Sequence, residues 1–73
     1  MTTEVQSVLL DKAYFSYLDA ITWVHSHGFA LNKLDITRKF YRFKQHDPNK
    51  YVKLRTKEVI AEGNGVNFVF GVL

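Results

Sequence analysis

The chain contains no cysteine. Disulfide frameworks, thiolate metal sites and a cysteine nucleophile are therefore excluded. It has one proline and four glycines among its 73 residues. No Pro/Gly/Ser-rich linker and no internal repeat divides it, so one domain spanning residues 1–73 is expected. No apolar run exceeds about four residues, far short of a membrane span, and no membrane partner is expected. The opening Met1-Thr2-Thr3-Glu4 lacks the basic flank and apolar stretch of a secretion signal, which sets an intracellular location as the expectation. What remains is ordinary in bulk: 47% hydrophobic and 23% charged residues. Those fractions exclude an intrinsically disordered chain. A chain this short buries only about 60–65% of the surface it exposes unfolded. Its core is small, and support from dimerisation or a bound partner is expected.

Groups that carry chemistry are also sparse. The three histidines are His25, His27 and His46. His25 and His27 lie two apart on an expected helix, so they point in different directions and do not chelate one metal. Both sit near a helix C-terminus, where positive charge is favoured. Ser7, Ser16 and Ser26 have no nucleophile-elbow context. Asp11, Asp19, Asp35 and Asp47 form no acid–base pair. Gly63-Asn64-Gly65 is not followed by a helix and reads as a hairpin turn rather than a phosphate loop. A non-enzymatic protein without cofactor, metal or catalytic residue is expected.

Acidic residues are scarce where basic ones gather. Nine of the ten Lys and Arg residues fall between Lys33 and Lys57, opposed only by Asp35 and Asp47, a local net of +7 within a total of +3. The segments on either side each carry −2. Such a block attracts phosphate backbones or other acidic surfaces. Equally, it solubilises a small protein and guards sheet edges.

Periodicity predicts a small α+β domain of order β-α-β-β-β, with a mostly antiparallel four-stranded sheet and one helix on one face. Residues 4–10 read as a strand, although Thr3 with Gln6 also fits a capping box. Ser16 and Asp19 form a better one. The helix from there spans 17–27 and stops at Gly28, where a left-handed residue carries no steric cost. Its apolar stripe is Leu18, Ile21 and Val24, widened by Tyr17, Ala20 and Trp23. Residues 36–45 and 51–60 read as strands separated by the His46-Asp47-Pro48-Asn49 turn. Val66 to Val72 is the last strand, after a turn over residues 62–65.

Strand parity then sorts the faces. Val52, Leu54 and Ile60 are expected toward the helix, and Tyr51, Lys53, Arg55 and Lys57 away from it. Val66, Phe68, Phe70 and Val72 form the natural core set. The 36–45 strand does not alternate cleanly, so an aromatic points away from the helix unless a bulge shifts the register. One helix covers one face of the sheet. The other face is expected to combine stacking rings, Tyr41 or Phe43, with phosphate contacts from Arg42, Lys44, Lys53, Arg55 and Lys57. Arg42 and Arg55 are expected to lie across the hairpin around Pro48, where they grip an anion bidentately or pair with Asp35, Asp47 or Glu58. Nucleic acid, single-stranded rather than duplex, is the leading partner. The alternatives are a protein-interaction module for an acidic protein and a homodimer that buries Tyr41 and Phe43.

One set of residues also carries a resemblance. Val5 to Leu10, Ala20 and Trp23 before His27-Gly28, Tyr41-Arg42-Phe43-Lys44-Gln45 with Asp47-Pro48, Arg55-Thr56 and Gly65-Val66 follow one another in order. This order resembles a short domain of tailed phages and large DNA viruses, found also as a segment appended to phage head-maturation protease proteins. Lys44 stands where the resemblance leads one to expect a second Arg, and a point charge replaces a bidentate fork there. The resemblance implies a viral or phage source and a location in the host cytoplasm or virion. It also implies a non-enzymatic accessory role with no catalytic residue. The protein-interaction alternative is then a subunit of a virion or replication assembly, or an inhibitor of a host factor.

Overall fold

The computed structural model describes residues 2–59 and 63–73. β1 (Thr3–Asp11) is followed by α1 (Tyr17–Ser26), β2 (Leu34–Ile36), β3 (Phe40–Lys44), a 3-10 turn at Pro48–Lys50, β4 (Lys53–Glu58) and β5 (Val66–Val72). The five strands form one antiparallel sheet of order β2-β3-β1-β5-β4. The α+β class and the strand-helix-strands order agree with the sequence expectation.

The fifth strand comes from a division of the 36–45 segment. Thr37 turns the chain: its hydroxyl donates to the Phe40 carbonyl at 3.1 Å and accepts from the Phe40 N–H at 3.0 Å. Three residues therefore suffice to reverse direction, and β2 folds back on β3 with Asp35 opposite Arg42. The strand expected over 51–60 is shorter, Lys53–Glu58. Ile60 and Glu62 of the expected elements lie outside the described residues.

α1 starts as its capping residues dictate. Ser16 is extended and accepts the Asp19 N–H at 3.1 Å. The helix ends at Gly28, whose φ of +79° lets its N–H reach the His25 carbonyl and the Phe29 N–H reach the Val24 carbonyl. The buried stripe is centred on Ala20 and Val24, an i, i+4 pair. Leu18, expected on that stripe, is 72% exposed, because a stripe centred on 20 and 24 leaves position 18 on the far side of the helix.

The core joins α1 to three strands: Val8 and Leu10 of β1, Phe43 of β3 and Val66 of β5 pack with Ala20 and Val24. β1 lies between β3 and β5, so the first strand separates elements that are close in sequence. Gln6 is the extra residue of a bulge in β1, between Val5 opposite Phe70 and Ser7 opposite Val69. The bulge exchanges the faces of β1, leaving Val5 and Val8 on one side and Gln6 and Ser7 on the other.

Candidate functional site

The expected hairpin of β3 and β4 does not form. β3 pairs with β1 and β2, and β4 pairs with β5 at the opposite edge. The chain crosses from one flank of the sheet to the other through the turn at Pro48, where Asp47 accepts the Asn49 N–H at 2.9 Å. Arg42 and Arg55 therefore belong to different regions and do not share an anion.

The seven residues expected on one basic, aromatic face fall into three groups. Tyr41 and Phe43 face the helix. Phe43 is 1% exposed and belongs to the core, so it is neither a stacking platform nor a dimer contact. Tyr41 is half-buried, with its ring edge-on to Tyr17 at 5.8 Å and the Lys12 ammonium 5.4 Å from its centroid. The aromatic of β3 that points away from the helix is Phe40, which shares the parity of Arg42 and Lys44.

Arg42 and Lys44 form the second group, on the face that α1 does not cover, and both are engaged. Arg42 Nε donates to Ser7 Oγ and its Nη2 to Gln6 Oε1, each at 3.2 Å. Gln6 and Ser7 are themselves fully buried. Lys44 meets Asp35 at 2.7 Å, and that hydrogen bond holds the Asp35 carboxyl below its ordinary range. Beyond the same end of β1, Glu4 receives Lys50 Nζ and the Tyr51 hydroxyl, each at 2.6 Å. These bonds, Lys50 first, lower the Glu4 pKa. Tyr51 is raised to about 12, first by desolvation and then by Glu4. Its ring closes over Gly71, where a Cβ would overlap it. Together these contacts tie the crossover to the sheet.

Lys53, Arg55 and Lys57 form the third group, and their orientation reverses the expectation. They pair in register with Val72, Phe70 and Phe68. Phe68 packs on Trp23 and Phe29 beside the helix. The three cations of β4 therefore stand on the helix side of the sheet, and Leu54, Thr56 and Glu58 on the other. No ion pair, hydrogen bond or ring contact engages any of the three among the described residues. They border an open groove of about 660 Å³ whose apolar floor is Phe70 and Val72, with Val52 at one end. By register Glu58 and Glu4 point to the opposite face, so no strand carboxylate offsets the three charges.

The groove lies where α1 does not reach: the helix packs on Val8, Leu10, Phe43 and Val66, and β4 at the far edge is exposed along its whole length. The helix caps Val66 and Phe68 and leaves Phe70 and Val72 open. Sequence reasoning assigned both to the core by parity. No pattern within β5 says how far across the sheet the helix lies, so parity alone does not separate them from the core.

Among the described residues no group of three or more His, Cys, Asp or Glu side chains gathers to hold a metal. No helix there is long and apolar enough to cross a membrane. His27 closes α1, with its Nδ1 2.8 Å from the Trp23 carbonyl oxygen and its ring stacked on Trp23 at 3.8 Å. No protein-family model, curated protein or solved structure matches the chain. Function is therefore read from the geometry of these faces.

Proposed function

We propose that the chain is a non-enzymatic module that binds nucleic acid through the β4–β5 groove, with Lys53, Arg55 and Lys57 contacting phosphates. The observation that carries this reading is three unengaged cations on one face of an edge strand, above an apolar, aromatic floor. Alternate residues of a strand recur every ~6.7 Å, a repeat comparable to that of an extended phosphodiester chain. Arg42 and Lys44, held by partners on the other face, have no part in it. A phage or viral accessory role is compatible with this reading and adds nothing to its chemistry.

The test is a salt titration of binding to short fluorescent oligonucleotides. Three phosphate contacts on a single strand predict a log–log slope of about −2. The double variant Lys53→Glu/Arg55→Glu is expected to lower affinity about tenfold or more and to remove most of that slope. An unchanged affinity in a folded double variant sinks the proposal.

A second reading has its own observation. β4 is an edge strand, and all six of its residues are exposed. An extended acidic segment of a partner protein can add there as a sixth strand, with alternate carboxylates toward the cations. Under this reading an acidic peptide outcompetes an oligonucleotide of equal charge. Self-pairing of two β4 edges is disfavoured, because it brings Lys53, Arg55 and Lys57 of both copies together.

A further inference from the structure

We infer that the groove holds one unpaired base between the Phe70 ring and the Arg55 guanidinium, and thereby selects single strands over duplexes. This inference rests on the nucleic-acid reading of the same groove and adds the class of ligand.

Arg55 and Phe70 are direct cross-strand partners on one face of the β4–β5 pair. Both line the groove. Side chains so placed stand about 4.5–5.5 Å apart at their Cβ atoms. Phe70 is already fixed on one side. Phe68 meets it at 5.9 Å with an interplanar angle of 77°, and Val5 of β1 is its partner on the other flank. Its open surface is the one turned to the groove. Arg55 has no partner among the described residues, so its planar guanidinium is available to close over a flat ligand. Lys53 and Lys57, two residues to either side, are placed for the phosphates that flank that base. A paired base presents no free face, so a duplex offers the groove its phosphates alone. Every base has a stacking face, so the site tolerates sequence.

The experiment compares three probes of equal charge on the full chain: a thymidine 8-mer, an abasic 8-mer, and a duplex carrying the same number of phosphates in reach. The thymidine strand is expected to bind about 5- to 150-fold more tightly than the abasic strand, the range of one base–aromatic stack. The duplex is expected to behave like the abasic strand. Phe70→Leu keeps an apolar floor and should erase the base-dependent difference while leaving the salt slope intact. Arg55→Lys, on an exposed strand position that does not threaten folding, keeps the charge but loses the plane. It should reduce the same difference without changing the slope. Equal binding of thymidine and abasic strands overturns the inference while leaving phosphate binding in place. So does a base preference that survives both variants. Absence of binding to every oligonucleotide overturns the nucleic-acid reading itself, as does tighter binding of a poly-glutamate peptide of equal charge.

Discussion

β3 and β4 are near equals in sequence. Each mixes basic with bulky residues, Phe40-Tyr41-Arg42-Phe43-Lys44 in one and Lys53-Leu54-Arg55-Thr56-Lys57 in the other. The fold uses them in opposite ways. β3 lies inside the sheet, its rings Tyr41 and Phe43 turned to the helix and its cations bound to Gln6, Ser7 and Asp35. β4 lies at an edge, its cations unengaged among the described residues and its aliphatic Leu54 41% exposed. A basic residue is a structural contact when a neighbouring strand supplies an acceptor for it. It is free for a ligand when one side is solvent and the other is apolar. Position in the sheet, rather than composition, separates the two strands.

The sharpest way to break this comparison is truncation. Phe43→Ala is expected to cost about 3–5 kcal/mol, a large share of the stability of so small a domain. Leu54→Ala should stay within about 0.5 kcal/mol. Urea unfolding followed by the fluorescence of Trp23 measures both, and similar costs at the two sites would remove the distinction between an interior and an edge strand.

A smaller effect separates the cations. Arg42→Met removes donors from the buried oxygens of Gln6 and Ser7 and is expected to cost about 1–2 kcal/mol, with oligonucleotide affinity unchanged. Lys57→Met should do the reverse, leaving unfolding in urea as in the parent chain and reducing the salt slope by about 0.7. A loss of binding in the Arg42 variant would show that β3 shares the ligand after all.

The smallest effect is in pH. Glu4 and Asp35 are both held below their ordinary values, 4.5 and 3.8, by lysines of the crossover and of β3. A lowered carboxylate contributes stability that is fully present above its unfolded value and is lost as pH falls through its folded value. Stability is therefore expected to decline below about pH 4.5, and less steeply in Glu4→Gln. At the other end Tyr51 is raised from 10.0 to about 12. Its contribution is complete below pH 10 and declines as pH rises from there toward 12. Thermal melts at graded pH, compared between the parent chain and Glu4→Gln, test both limits.

Several elements were legible because their causes are local. Ser16 with Asp19 starts the helix and Gly28 ends it. Alternation sets β5 at Val66–Val72. The irregular pattern of 36–45 has two sources: Arg38 and Lys39 lie in the turn between β2 and β3, and Phe40 points away from the helix while Tyr41 and Phe43 face it. The separation of Arg42 from Arg55 was not legible, because Pro48 signals a turn without saying how far the chain travels beyond it.

Local chemistry thus determined this protein's class, its helix limits, its last strand and the presence of a basic block without metal-ligand or nucleophile motifs. Tertiary structure alone decided which basic residues are available. The insertion of β1 between β3 and β5 is a matter of long-range pairing, and no residue within β3 or β4 encodes it. The faces of β4 follow from its register with β5, so its cations turn to the helix side although its own alternation pointed them away. That orientation carries no burial cost, because all six residues of β4 stay exposed at the edge of the sheet. A strand's own pattern fixes which residues share a face; only its neighbours fix which face that is.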